Sequence, residues 1–189
     1  MRIGLAGGFR PRAHNGRMPS SLTDTLCTHC GLCCDGTLFA DVELKSSTEA
    51  AGLLILGLAV DDDDAEGGLL SQPCSALQGT RCSIYAHRPE CCRIFECALL
   101  QDVRAGATTV EQARAHITQA FTYIGRVRAL LNELGERNVR LPLNERCAHA
   151  LAKDMDSVAG MSQRQAELED AIKALDRLIQ TTFFESGAE

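Results

Sequence analysis

The sequence predicts a mainly α-helical protein in two parts, a small irregular cysteine-rich module followed by a C-terminal antiparallel helical hairpin. Two observations carry this prediction. Nine of the ten cysteines precede residue 98, and from residue 108 onward apolar residues recur three and four apart. Composition fits a folded chain: 189 residues, 45% hydrophobic and 23% charged, are enough to bury a core and exclude general disorder. The expected divisions are a flexible tail over residues 1–20, the cysteine-rich module over 21–100 and the helical region over 101–189.

Charge and hydropathy exclude two classes of partner. The formal net charge is −6, and the excess is acidic both before and after residue 98, so the basic surface that a phosphate backbone demands is missing and no nucleic-acid partner is expected. The longest strongly apolar run, residues 50–60, is about half the ~20 residues of a membrane-spanning helix, and no membrane partner is expected either. Arg2, Arg10, Arg12 and Arg17 precede the first acid, Asp24, but the apolar piece among them is short and glycine-rich, a poor secretory signal. Met18 is an alternative start. A reducing, cytoplasmic location is expected, where clustered thiols bind metal or do redox chemistry more often than they form disulfide frameworks.

The first element is Cys27-Thr-His-Cys30-Gly-Leu-Cys33-Cys34. A C-x2-C turn brings two thiolates to one ion, and Gly31 permits the tight backbone. Residues 37–44 alternate as a half-buried strand, with Leu38, Ala40, Val42 and Leu44 on one side. Ser46-Ser-Thr-Glu49 reads as a capping box opening a short helix that Gly57 closes. The run Asp61–Asp64 lacks the alternating ligands of a calcium loop and reads as a solvated acidic loop. Cys74 and Cys82 bracket a turn at Gly79, and Cys91, Cys92 and Cys97 follow in Arg-Pro-Glu-Cys-Cys-Arg-Ile-Phe-Glu-Cys.

Residues 22–100 thereby resemble the YkgJ-type CxxCxxCC cysteine cluster family. The resemblance rests on C-x2-C-x2-C-C, on C-x7-C leading into Ile84-Tyr85-x-x-Arg88-Pro89, and on Cys92-Arg93-x-Phe95-x-Cys97. It implies a zinc- or iron-chelating domain with eight characteristic cysteines, which map to Cys27, Cys30, Cys33, Cys34, Cys74, Cys82, Cys92 and Cys97. Cys91 and Cys147 fall outside the pattern. A related module in flagellin lysine N-methylases implies a link to methyl transfer.

Thiol chemistry narrows the ligand geometry. Adjacent cysteines have Cα atoms about 3.8 Å apart, and in extended chain their side chains diverge, so Cys33 and Cys34 suit two different metals and eight thiolates divide as two sets of four. Two tetrahedral zinc sites, stapling the module, are one solution; a binuclear cluster sharing sulfurs is another. An iron–sulfur cluster competes, because Cys27-x2-Cys30-x2-Cys33 reproduces the first three ligands of a bacterial ferredoxin motif. The usual continuation is missing, so a fourth ligand has to come from the later cysteines. A redox-active disulfide set is the third alternative. His29 is expected to be exposed, His87 to position the Arg88-Pro89 turn, and Arg88 and Arg93 to give local support to the thiols or to backbone carbonyls.

In the helical region Val110, Ala113, Ile117, Ala120, Ile124, Val127, Leu131 and Leu134 form one apolar seam. Thr108-x-x-Glu111 is expected to cap this helix and Gly135 to end it. Asn144 is expected to cap an intervening helix in which Cys147 is a core residue. A second long helix is expected from about Ser162, with Leu168, Ile172, Leu175 and Ile179 inward. No catalytic constellation is legible. The leading functional expectation is a metal-binding protein holding about two zinc ions in a structural or metal-handling role, with its helices recruiting a protein partner. The alternative is an iron–sulfur protein in electron transfer or in support of a methylase-type reaction.

Overall fold

A computed structural model describes residues 20–61, 67–152 and 159–185; residues 1–19 of the tail expected over 1–20, and Asp62–Asp64 of the acidic loop, lie outside them, while Ser20 opens the first helix. Mainly helical, the chain runs α1 (Ser20–Cys30), β1 (Asp41–Glu43), α2 (Ser47–Ile55), β2 (Val60–Asp61), β3 (Leu69–Ser71), β4 (Leu77–Gln78), β5 (Arg81–Cys82), α3 (Glu90–Ile94), α4 (Ala98–Ala105), α5 (Val110–Glu133), α6 (Leu143–Leu151) and α7 (Ala159–Ile179). Among the described residues no helix is long and apolar enough to cross a membrane.

α5 and α7 form the antiparallel pair. Glu133 at the end of α5 meets Arg164 near the start of α7 at 3.1 Å, and Arg126, earlier on α5, meets Glu167 at 3.4 Å. From Ala113 through Leu134 the expected seam is buried, joined by Leu130, and faces Leu168, Leu175 and Ile179. Phe183, in a π-helical turn continuing α7, completes this core. Gly135 ends α5 at φ +75°, a left-handed conformation that costs glycine little.

Two caps differ from expectation. The α5 cap is Thr109, whose hydroxyl takes the Gln112 N–H at 3.2 Å while the Gln112 side chain takes the Thr109 N–H at 2.9 Å. The Thr108 N–H bonds Asp102 O in α4 and so is not open to the return bond of a capping box. Thr109→Ala is therefore expected to lower stability by about 1 kcal/mol and Thr108→Ala to leave it nearly unchanged, read by denaturant unfolding. The α6 cap is Pro142, and Asn144 lies inside the helix. Gly36 O already satisfies the Leu143 N–H, at 2.9 Å.

The cysteine-rich module has little regular structure. β1, β3 and β2 form a three-stranded antiparallel sheet, with Val42 opposite Leu70, and β4 and β5 form a hairpin turning at Gly79-Thr80. Only residues 41–43 of the expected strand are ladder-paired, although flanking bonds from Gln72 N to Ala40 O and from Leu44 N to Gly68 O continue the pairing. α2 opens as expected on Ser46, whose hydroxyl takes the Glu49 N–H. The Glu49 carboxylate does not return to Ser46; it accepts from Lys45 N and, at 2.6 Å, from Glu90 N, which anchors the start of α3.

Two hydrophobic clusters result. The main one joins Leu26, Leu32, Leu38, Leu99 and Leu100 from the cysteine-rich half to α5, α6 and α7. The second gathers Leu44, Ala50, Leu53, Leu58, Leu70, Cys74 and Ala76 around the small sheet.

Candidate metal centre

The C-x2-C pair begins in a helix, where a free-standing turn was expected. Leu22, Leu26 and Cys30, four apart on α1, face the main cluster, and Cys27 and Cys30, three apart, share a side. Gly31 ends α1 at φ +70° with its N–H on Cys27 O at 3.2 Å. A Cβ there would also stand 3.1 Å from Thr80 Cα, so glycine serves both the left-handed turn and the close approach of the β4–β5 hairpin. Thr80 then donates its hydroxyl to Thr28 O at 2.7 Å, tying the hairpin that carries Cys82 to the helix that carries Cys27 and Cys30. Past the turn, Cys34 N bonds Gly31 O and Leu32 is fully buried, which anchors the backbone that carries Cys33 and Cys34.

Electrostatic neighbours sort the thiols. Burial pushes Cys30 up to about 12, and like-charge repulsion from Cys97 and Cys27 adds to it. Cys33 is driven well above its ordinary value, by burial first and then by Cys34, Cys30, Cys97 and Cys27. Cys97, at the start of α4, is raised to about 11 by burial, opposed by the backbone N–H of Leu100 and reinforced by Cys27. Cys34 has different company: burial raises it to about 12, with Cys74 and Cys82 as the repelling thiols. Cys74 is raised by burial and by Cys82, against the N–H groups of Ala76 and Leu77. Cys74 is held to Cys34 directly, its N–H on Cys34 O at 2.8 Å and on Gln72 Oε1 at 2.9 Å.

Packing divides them the same way. Cys27, Cys30 and Cys97 lie against the main cluster, whereas Cys34, Cys74, Cys82 and Cys91 belong to or line the second. Cys91 and Cys92, adjacent on α3, share a hydrogen bond that lowers the first and raises the second, and Cys92 also feels burial and the charges of Cys34 and Cys74. All ten cysteines are unpaired. Cys147 is buried on α6 away from both groups, raised to about 12 by burial.

Arg88 stands between the groups. Its positive charge opposes the upward shifts of both Cys27 and Cys34, its guanidinium stacks 3.7 Å over the Tyr85 ring, and its Nε donates to Tyr85 O. Arg93 donates to Arg88 O at 3.0 Å, a backbone support. His29 is exposed, as are His87, His116 and His149. Residues missed in the sequence include Gln72, buried at 3% and holding the Cys74 N–H, and Asp35, which pairs with Arg128 at 3.1 Å. Neither has a local signature, since each acts on a segment distant in the chain or across a turn.

The donor chemistry fits a thiophilic metal: neighbouring soft sulfurs with backbone N–H groups directed at Cys30, Cys74 and Cys97. The thiols are neighbours and not closed polyhedra; among the described residues no three Cys, His, Asp or Glu side chains are gathered into a ready-made metal site. One raised thiol has a consequence for stability that does not depend on metal. Cys147, in the helical core, is raised by burial from 9.0 to about 12, so the stability it contributes below pH 9 is lost as pH rises toward 12. The helical core of chelated protein is expected to melt lower at pH 10 than at pH 8, and Cys147→Ser to reduce that difference.

No curated protein and no solved structure gives a significant match to the chain. Residues 26–121, just over half of it, match a family model, from the last residues of α1 into α5 and across every cysteine except Cys147. With this match spanning both groups of neighbouring thiols, the chain belongs to the CxxCxxCC family, described as "Putative zinc- or iron-chelating domain".

Proposed function

We propose that the chain binds two zinc ions through eight thiolates, Cys27, Cys30, Cys33 and Cys97 in one set and Cys34, Cys74, Cys82 and Cys92 in the other. The observation that carries this reading is the different company of Cys33 and Cys34, whose thiol neighbours beyond each other are Cys30, Cys97 and Cys27 for the first and Cys74 and Cys82 for the second. Each Zn(Cys)4 group has a net charge of −2, and the Arg88 guanidinium, acting on a thiol of each set, offsets part of it. The role is structural or metal-handling, with the helices as the surface for a protein partner. Unpaired thiols throughout support a reducing, cytoplasmic setting.

One observation favours a second reading. Cys97 lies beside Cys27, Cys30 and Cys33 and supplies the remote fourth thiol that a [4Fe–4S] cluster on a C-x2-C-x2-C run needs. On that reading the chain transfers electrons or supports a methylase-type reaction. Metal analysis with a visible spectrum after anaerobic purification separates the two. A colourless protein with close to two zinc ions supports the first, a brown protein with iron and acid-labile sulfide the second, and a protein devoid of both metals overturns both.

A further inference from the structure

Arg146 is a buried charge with little compensation. It sits on α6 at 5% exposure, its Nε is buried without a hydrogen-bond partner, and its Nη2 makes one long bond, 3.4 Å, to the backbone carbonyl of Glu136. The Glu136 carboxylate accepts the Asn138 N–H at 2.7 Å and forms no ion pair with Arg146. Among the described residues no carboxylate forms an ion pair with this guanidinium. A buried cation with unfilled donors is costly unless an anion reaches it.

A cavity of about 340 Å³ lies at that point, within the range of small-molecule sites. Arg146 lines it together with Arg128, Asp35, Asn132, Leu141 and Leu143. Arg128 and Asp35 neutralise each other at 3.1 Å, so Arg146 leaves the cavity with one net positive charge. Asn132 adds an amide donor, and the leucines add an apolar wall. We propose that this cavity binds a small organic monoanion, its carboxylate held by Arg146 and Asn132 and its apolar body against Leu141 and Leu143. A guanidinium presents paired donors that match a carboxylate. The proposal does not require the metal reading, but Cys74, a proposed ligand of the second set, lines the same cavity, so the test has to separate Arg146 from a bound metal.

Isothermal titration of the full chain with isovalerate, isovaleramide and inorganic phosphate, at constant ionic strength in chloride, tests this. Isovalerate is expected to bind saturably, and the neutral amide and phosphate at least about tenfold more weakly. Arg146→Gln is expected to abolish binding and Asn132→Ala to weaken it severalfold. Absence of saturable binding, equal binding of the amide, or tighter binding of phosphate overturns the proposal. So does binding that persists in Arg146→Gln, which is what coordination to a bound metal gives. Should that variant fail to fold, Asn132→Ala decides, because unchanged affinity there removes the carboxylate from this cavity.

Discussion

Chelating the metal from the loaded protein is expected to open residues 41–97 to protease while most of the far-UV helical signal survives. Strands there are two or three residues long, and the second cluster has seven buried residues, one of them Cys74. Ordering each residue costs about 1–2 kcal/mol of backbone entropy, which so small a cluster offsets poorly. Zinc binding in finger peptides contributes about 10–16 kcal/mol, comparable to the ~5–15 kcal/mol that stabilises a whole domain. α5 and α7 have a seam of their own, and α1, the segment after it and α4 share it through Leu26, Leu32, Leu38, Leu99 and Leu100. Loss of order is therefore expected to stop at those leucines. Limited proteolysis and circular dichroism before and after chelation read the two effects separately. Unchanged proteolytic resistance in residues 41–97 would show that packing alone holds the module.

The helices were legible because their cause is local. A repeat of three and four residues buries one stripe whatever lies opposite, so the seam from Ala113 to Leu134 appears where the spacing places it. The caps were less so, since Thr108-x-x-Glu111 and Thr109-x-x-Gln112 both satisfy the same pattern. Asp102 O decides between them by taking the Thr108 N–H, a contact with α4. Pro142 opens α6 in place of Asn144 because a distant residue, Gly36, supplies the acceptor. For the site, the adjacency of Cys33 and Cys34 pointed to two groups, and which later cysteine lies near which depends on the hairpin docking at Gly31 and on the anchoring of α3 by Glu49. Arg146 was unreadable for a similar reason. A charge on a short amphipathic helix reads as surface, and only the packing of α6 and the carbonyl of Glu136 enclose it.

Serine substitutions are expected to remove metal one set at a time. Cys33→Ser removes a thiol whose neighbours are Cys27, Cys30 and Cys97, and Cys34→Ser one whose neighbours are Cys74 and Cys82. Each single variant is expected to lose about one of two ions, because three thiolates hold zinc far more weakly than four, and the double variant to lose both. A binuclear cluster sharing sulfurs predicts otherwise, with either single change costing both ions. Cys147→Ser, in the main core and away from both groups, is expected to keep full stoichiometry. The adjacent pair on α3 is the sharpest comparison. Cys92 feels Cys34 and Cys74, whereas Cys91 packs on the second cluster, so Cys92→Ser is expected to release one ion and Cys91→Ser to retain it. Equal loss from Cys91→Ser would transfer the fourth position of the second set to Cys91, leaving the division into two sets in place. Loss of both ions from Cys33→Ser alone would overturn the division itself.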